Sequence, residues 1–176
     1  MDRRLNRTSV LRMCILAMLI ALYVVLSSFL KITFIGNIQL DLGYIAFAIA
    51  LCEFGIWGAT VGTIGCTLES LLFSAYGFSP SWLAANAIIG IGCGLVFWKT
   101  KNIFIRIASI IIFSAIGLLL VKTLIECSLY SIPFEVKIPK NAVAFGVDAG
   151  VMIVGLVIYD RIKYAIGKKS SSKKEG

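Results

Sequence analysis

Long apolar runs recur along this chain, and they constrain its fold more than any other feature of the sequence. Runs of about 20 residues, such as 10–30, are long enough to cross the hydrocarbon core of a membrane as a helix. Of the 176 residues 59% are hydrophobic, with a mean hydropathy of +0.95, whereas soluble domains are typically about 45–50% apolar. We therefore predict an all-α integral membrane protein.

The apolar pattern divides into six predicted transmembrane helices, at residues 10–30, 42–56, 59–76, 82–98, 103–127 and 142–159. The second is short, so we expect it either to lean on its neighbours or to continue through a tight Gly55–Gly58 turn into the third. We assign residues 1–166 to one six-helix membrane domain. The polar, low-complexity residues 167–176 are predicted to form a disordered basic cytoplasmic tail.

The basic residues indicate how the chain is oriented in the membrane. Most of the 17 Lys and Arg residues fall before the first span, between the fourth and fifth, or after the sixth. In a six-span arrangement these three regions lie on one side, which the positive-inside rule makes cytoplasmic. Both termini are then cytoplasmic, and the chain is expected in a cell membrane.

The sequence has few marks of an enzyme. It has no histidine, the commonest general base and metal ligand, and no P-loop, GxSxG or HExxH motif. Its five cysteines lie in or beside apolar runs without a CxxC, which favours packing over a zinc site or disulfides. We expect no catalytic residue, no cofactor, no metal and no nucleic-acid partner.

The polar residues inside the spans cluster at one depth. At about 1.5 Å rise per residue, they fall in the outer half of the membrane on different helices, namely Glu69, Asn86, Lys122, Glu126, Asn141 and Asp148. The spacing of Lys122 and Glu126 places both on one helix face, and Lys122 offers a cation to Glu126, Glu69 or Asp148. The outer half therefore holds most of the intramembrane charge.

Two interpretations fit this cluster. It is either a buried polar knot that fixes how the helices pack, or an outward-facing pocket for a polar small molecule. Ionisable residues within a membrane mark functional sites by default, and their common depth favours the pocket. Four aromatic residues could stack on a ligand ring or belong to the membrane-interface belt, namely Tyr44, Trp82, Tyr130 and Phe145.

Small residues repeat at a spacing of four, at Ala17–Ala21, Gly58–Gly62, Gly90–Gly94 and Gly146–Gly150. Such pairs let helix backbones approach closely, and packing within the bundle suits most of them. The last pair flanks Asp148 and is expected to keep its surroundings narrow. Ala17–Ala21 lies in the cytoplasmic half of the first span, where a smooth strip could seat another protein.

Several segments in order resemble the substrate-binding S components of energy-coupling factor (ECF) vitamin transporters. They are the basic start with AMLIA, the loop and second span IGNIQLDLGYIAFAIA, the turn FGIWGATVG and a glycine-containing fourth span ending in lysines. The resemblance covers about residues 4–164. Ile56 departs from it, since many relatives have proline after FG.

The resemblance implies a six-helix protein with both ends cytoplasmic that binds a vitamin at its outer face. It also implies two kinds of partner, a transmembrane coupling protein and two cytoplasmic ATPases that carry out ATP hydrolysis. Ala17 and Ala21 would then seat the coupling protein, and the outer loop 33–41 would cover the pocket. The protein itself would not be an enzyme.

The implied substrate is less narrowly defined. The segment IQLDLGYIAFAI is most similar to the folate-type branch, and S components for riboflavin, pyridoxine-type, hydroxymethylpyrimidine or queuosine-precursor compounds remain alternatives. Carboxylates in the cluster could accept from ring N–H groups, and Lys122 could meet a carboxylate or phosphate. Two other classes stay open, a small membrane enzyme acting on a lipid or isoprenoid and a structural subunit without ligand.

Overall fold

The computed structural model describes residues 2–29, 32–34, 38–73, 77–131 and 133–172, with side chains in 10–29, 40–73, 77–131 and 133–166. The described part is a helical bundle with one short hairpin of strands. In chain order the elements are α1 (Asp2–Phe29), β1 (Ile32–Phe34), β2 (Ile38–Leu40), α2 (Gly43–Phe54), α3 (Ala59–Phe73), α4 (Pro80–Lys99), α5 (Ile103–Ser114), α6 (Thr123–Tyr130) and α7 (Phe134–Ser172).

The chain reverses between α2 and α3 through a 3-10 turn, Gly55–Gly58. Gly55 has a φ of +56°, which only glycine adopts at little cost. A Cβ added at Gly58 would lie 2.5 Å from the carbonyl oxygen of Ala50, and one at Gly62 would lie 2.5 Å from the Phe47 ring. A continuous helix would hold positions 47 and 62 about 22 Å apart, so α2 and α3 form an antiparallel helical hairpin.

Five stretches of the described residues are long and apolar enough to cross a membrane, namely Val10–Phe29, Gly43–Phe73, Pro80–Lys99, Ile103–Tyr130 and Phe134–Ile166. The second of these contains the α2–α3 hairpin. The protein is therefore a multi-pass helical membrane protein, while six crossings and cytoplasmic termini remain predictions.

Several helices are longer than the apolar spans predicted from the sequence, among them α1, which begins at Asp2, and α7, which ends at Ser172. The fifth predicted span ends at 127, whereas α5 continues through a π-helical segment, Ala115–Lys122, into α6 and ends at Tyr130. The last helix begins at Phe134 and includes Pro139, eight residues before the predicted start at 142. Apolar runs mark only the part of a helix that contacts lipid. The polar first turns of α7 therefore lay outside the span predicted from the sequence.

The expected all-α fold has one exception, the antiparallel hairpin of β1 and β2, in which Ile32 pairs with Leu40. The hairpin occupies part of the predicted outer loop 33–41, and β2 contacts α7. Residues 35–37 of that loop lie outside the described residues.

The second helix, α2, forms the centre of the bundle. Its residues Tyr44, Phe47 and Leu51 are fully buried, and α1, α4 and α7 all contact it. Gly155 of α7 lies so close to α2 that an added Cβ would meet Ala48 Cβ at 3.0 Å. The close approach explains how a helix of only 12 residues organises the longer helices around it.

At its far end α7 runs to Ser172, which takes the helix six residues into the predicted tail 167–176. The last four residues lie outside the described residues, and the domain boundary at residue 166 remains a prediction.

Candidate functional site

One end of the bundle collects the last turns of α1, α3 and α6 and the first turns of α2, α4 and α7. Most of the buried polar side chains are at this end, namely Ser27, Ser70, Ser81, Asn86, Lys122, Thr123, Glu126, Asn141 and Asp148. We call this set, together with Tyr44 and Trp82, the polar cluster. Six helical segments contribute to it, although they are far apart in sequence.

The centre of the polar cluster contains a buried hydrogen bond between α2 and α4. The Tyr44 hydroxyl donates to Asn86 Oδ1 over 2.9 Å, and both side chains are fully buried. This bond fixes the orientation of the amide. The Asn86 Nδ2 donor makes no hydrogen bond of normal geometry in the described part of the chain, and the Cys66 thiol near the Asn86 side chain is only a weak acceptor. A donor left in this state is costly for a buried group.

Lys122 lies between an aromatic ring and two carboxylates. Its ammonium is 3.5 Å from the centroid of the Trp82 ring and 4.0 Å from Glu126 Oε1. Glu126 is closer to Lys137 of α7, at 3.1 Å. Asp148 is near enough to interact electrostatically with Lys122. Two lysines therefore share Glu126, and the Lys122 ammonium also rests on a π face that attracts cations.

Asp148 is 2% exposed and lies about four turns from the start of α7. Its Oδ2 atom has no hydrogen-bond partner among the described residues. Asn141, two turns earlier, is satisfied, because its Nδ2 donates to Thr123 Oγ1 over 2.9 Å. Glu126 Oε2 also makes no hydrogen bond but is ion-paired with Lys137. Among the described residues the cluster thus presents one buried donor on α4 and one buried acceptor on α7 that no side chain satisfies.

A second group of contacts joins Asp41, which follows the β1–β2 hairpin, to α1 and α2. Asp41 Oδ1 accepts from Ser27 Oγ at 2.6 Å and from the backbone N–H of Gly43 at 2.8 Å. The Tyr23 hydroxyl lies 3.5 Å from Asp41 Oδ2. Asp41 is also close enough to Asp148 to interact with it electrostatically, so this junction borders the polar cluster.

Several polar groups at the opposite end have partners close by in sequence or on a neighbouring helix. Arg106 donates to the carbonyl oxygens of Thr100 and Phe97, at 2.9 and 3.4 Å. Tyr159 donates to Glu53, and Lys163 donates to Tyr159 over 2.9 Å. In the residues that the structure describes, no three His, Cys, Asp or Glu side chains are placed to hold a metal ion.

A family model described as "ECF-type riboflavin transporter, S component" matches residues 7–164 of the chain. The chain belongs to the family of ECF-type S components. Family and fold are thus those of the substrate-binding part of a vitamin transporter rather than of an enzyme, as the sequence predicted. S components bind a small molecule and work with an ECF module of a coupling protein and ATPases.

This S component also resembles a solved structure, that of the S component for biotin from an ECF-type ABC transporter. The TM-score is 0.65 and the sequences are 18% identical, over 90% of this chain and 94% of the other. That likeness shows the fold. A UPF0397 protein from Exiguobacterium sp. (strain ATCC BAA-1283 / AT1b) is 27% identical over 150 residues, 78% of this chain and 79% of the relative.

The fold of the S component brings most of the sequence-predicted site residues into the polar cluster, namely Tyr44, Trp82, Asn86, Lys122, Glu126, Asn141 and Asp148. Two others lie beside it. Glu69 is half-buried on α3, near Cys66, which neighbours Asn86. Phe145 is half-buried and packs against the hydrophobic core, while Tyr130 is 55% exposed at the end of α6.

The expectation that Gly146 and Gly150 narrow the space around Asp148 is wrong. Both glycines are exposed, and a Cβ added at either would meet nothing within 4 Å. Asp148 points inward, so residues two positions before and after it on a helix point away. By contrast, added Cβ atoms at Gly90 and Gly94 would meet neighbouring helices at 2.7 Å, as expected of packing glycines.

Sequence reasoning did not identify Tyr23, Ser81, Thr123 and Lys137 as neighbours of the site, and it treated Asp41 only as part of a loop. Asp41 carried a local signal, since an Asp two residues before an apolar helix can accept from its first N–H groups. Lys137 did not, because its pairing with Glu126 depends on how α6 and α7 meet.

Ala17 and Ala21 lie on the exposed side of α1. Neighbouring side chains on this helix are also exposed, among them Met13 at 70% and Met18 at 72%. The pair is therefore accessible from the membrane.

Proposed function

We propose that this S component binds a vitamin with a flat heteroaromatic ring in the polar cluster. The observation that carries the proposal concerns two buried atoms, Asn86 Nδ2 and Asp148 Oδ2, that have no hydrogen-bond partner among the described residues. Each would lose its water on folding without gaining a partner. A ring edge that has an acceptor beside a donor would satisfy both.

The remaining groups fit the same class of ligand. Trp82 offers an aromatic face once Lys122 moves from it, and aromatic rings stack with a gain of about 0.5–1.5 kcal/mol beyond burial. Lys122 and Lys137 share one carboxylate, so either ammonium could turn to an anionic group on the ligand. Such a ligand has a ring with polar edges and, in some vitamins, a carboxylate or phosphate.

Two vitamins are the first candidates. A folate-like compound is favoured by the segment IQLDLGYIAFAI and by the lysines, which suit its carboxylates. Riboflavin is supported by the description of the family that matches residues 7–164. Pyridoxine-type, hydroxymethylpyrimidine and queuosine-precursor compounds complete the set to be tested.

We also propose how the S component sits and works in the cell. The basic end faces the cytoplasm of a prokaryote, both termini are cytoplasmic, and the α2–α3 hairpin supplies two of six crossings. The polar cluster then opens to the outside. The strip of Ala17 and Ala21 seats the coupling protein, and two ATPases bound to that protein drive uptake.

Native mass spectrometry and calorimetry of the purified protein against this vitamin panel test the binding proposal. Asp148→Asn and Asn86→Ala should each weaken binding at least tenfold, the order expected when a buried hydrogen bond is lost. Asp160→Asn, an acid at the opposite end of α7, is the matched control and should bind as wild type does. Absence of binding across the panel would contradict the proposal.

The same variants separate a binding site from a purely structural polar knot. A knot predicts that Asp148→Asn changes only the melting temperature. A binding site predicts a loss of affinity in protein that remains folded, beside a modest loss of stability. Asp148 Oδ2 has no hydrogen bond in the described residues to lose, and the substitution weakens only its attraction to Lys122.

A further inference from the structure

The junction at Asp41 links three elements that approach very closely. Asp41 accepts from Ser27 of α1 and from the first N–H group of α2, at 2.6 and 2.8 Å. Gly43, which supplies that N–H, has no room for a side chain, since an added Cβ would lie 2.1 Å from Ser27 Oγ. The start of α2 is therefore held against the last turns of α1.

Tyr23 adds a second link between the same elements. It is 2% exposed, its hydroxyl lies 3.5 Å from Asp41, and its ring meets that of Tyr44 edge to face with centroids 6.3 Å apart. Behind it, an added Cβ at Gly65 of α3 would lie 2.5 Å from Tyr23 Cδ1. Tyr23 thus has little freedom to move unless Asp41 and Tyr44 also move.

The line of contacts continues from this junction to the candidate site. Tyr44 directly follows Gly43, and its hydroxyl holds the Asn86 amide so that Nδ2 is the unpaired atom. If the first turn of α2 shifted by an ångström, the 2.9 Å bond would lengthen and the amide could rotate. The orientation of the donor on α4 therefore depends on where α1 and Asp41 hold α2.

We propose that Asp41 is a positioning residue for the candidate site, through which α1 orients Tyr44 and, by way of Tyr44, the ligand-facing amide of Asn86. Asp41 does not touch the ligand in this role. The inference rests on the proposed function, because it assigns Asn86 Nδ2 to ligand binding. It adds that the affinity of the site is set partly from α1, the helix that also carries Ala17 and Ala21.

A double-mutant cycle tests whether Asp41 acts on ligand binding through Tyr44 and Asn86. Asp41→Asn should weaken binding of folic acid or riboflavin, whichever binds in the panel, by about tenfold, the order expected for a charge-assisted hydrogen bond. In an Asn86→Ala background the same substitution should add little further loss, because residues acting through one another are not additive. Equal losses in both backgrounds would overturn the inference, as would unchanged affinity in Asp41→Asn.

A ligand-free measurement separates this inference from the proposed function. The side-chain amide resonance of Asn86 in ¹⁵N-labelled protein should move in Asp41→Asn and stay in place in Asp160→Asn. An unmoved resonance would overturn the inference even if the vitamins bind. If the resonance moves and wild type binds no vitamin, the proposed function fails while the positioning contact stands.

Tyr23→Phe provides a milder variant should Asp41→Asn fold poorly. It removes only the hydroxyl near Asp41 and keeps the ring against Tyr44 and Gly65. We expect the Asn86 resonance to move in the same direction by a smaller amount, with a two- to threefold weaker affinity, about the effect of a weak neutral hydrogen bond. A Tyr23→Phe protein with the wild-type resonance and affinity would count against the route.

Discussion

The Lys122 ammonium lies 3.5 Å from the centroid of the Trp82 ring, so the protein's own cation covers an aromatic face at the candidate site. A ligand ring that stacks there must first displace it. A cation over Trp contributes about 0.5–2 kcal/mol, and Lys122 retains Glu126 as a partner when it moves. Displacing Lys122 from the ring therefore costs little free energy, and its ammonium becomes available to an anionic group on the ligand.

Trp82 should report the position of Lys122 through its fluorescence. The chain has three tryptophans, and the other two, Trp57 and Trp98, are 69% and 74% exposed, so both can be replaced by Phe with little loss. In that background Lys122→Met should shift the Trp82 emission, because a charge leaves the ring face. Lys101→Met, which changes an exposed lysine at the opposite end of the bundle, is the control and should leave the emission unchanged.

Adding folic acid to the same background should shift the Trp82 emission if it is the ligand, and the shift should be smaller in Lys122→Met. Identical ligand-free spectra for Lys122→Met and its parent would show that the ammonium does not occupy the ring in the membrane-embedded protein.

Alanine substitutions at Gly58 and Gly146 should have different effects on stability, although each glycine begins a pair with the same spacing of four. Gly58→Ala should destabilise the protein by about 2 kcal/mol or more, as overpacking typically does, because its Cβ would lie 2.5 Å from backbone atoms of Ala50. Gly146→Ala should be neutral or stabilise by up to about 1 kcal/mol through helix propensity. Thermal unfolding in detergent compares the two variants, and equal melting temperatures would contradict the assignment.

The proposed strip on α1 predicts a separation of binding from assembly. Ala17→Trp or Ala21→Trp should abolish co-purification with the coupling protein, because a large ring fills the smooth surface that close helix contact needs. Vitamin affinity should stay within twofold. Leu22→Trp, which changes another exposed position of α1, is the control and should assemble normally. Retained assembly in both alanine variants would exclude the strip as the docking surface.

The α2–α3 hairpin predicts where the chain meets water. In a cysteine-free background, Trp57→Cys and Lys101→Cys should react with impermeant maleimide only from the cytoplasmic side. Phe78→Cys and Glu135→Cys should react only from outside. The reactivity of Trp57→Cys distinguishes five crossings from six, because a single continuous crossing over Gly43–Phe73 would bury position 57 in the bilayer. A Trp57→Cys protein that reacts from neither side would contradict the hairpin.

The sequence predicted the membrane class and the gathering of most polar groups at one end of the bundle, because both follow from apolar length and a fixed rise per residue. It could not predict which way each group faces. Asp148 and Gly146 are two residues apart, yet one is buried and the other open. Helix rotation depends on which neighbours pack closely, as Gly155 does against α2, and a chain that is apolar all round gives little periodicity to predict it.

Contacts made between distant segments were equally hard to predict. The Tyr44–Asn86 hydrogen bond joins residues 42 positions apart, and the Lys137–Glu126 pair depends on the turn after α6. Residue type and depth named both members of the first pair as candidates. Only the packing of the helices around α2 showed that they touch, and that one donor remains unpaired.

The shortness of α2 has a consequence for the depth of the chain around it. At 12 residues it spans about 18 Å, whereas α4 with 20 residues matches the hydrocarbon thickness of about 30 Å. At least one end of α2 therefore lies at a depth that lipid tails occupy outside the bundle. Backbone that is not helical is tolerated at such a depth only where protein surrounds it or water reaches it, and α1, α4 and α7 all contact α2. The longer helices thus act as a sheath that lets a short segment begin and end below the membrane surface.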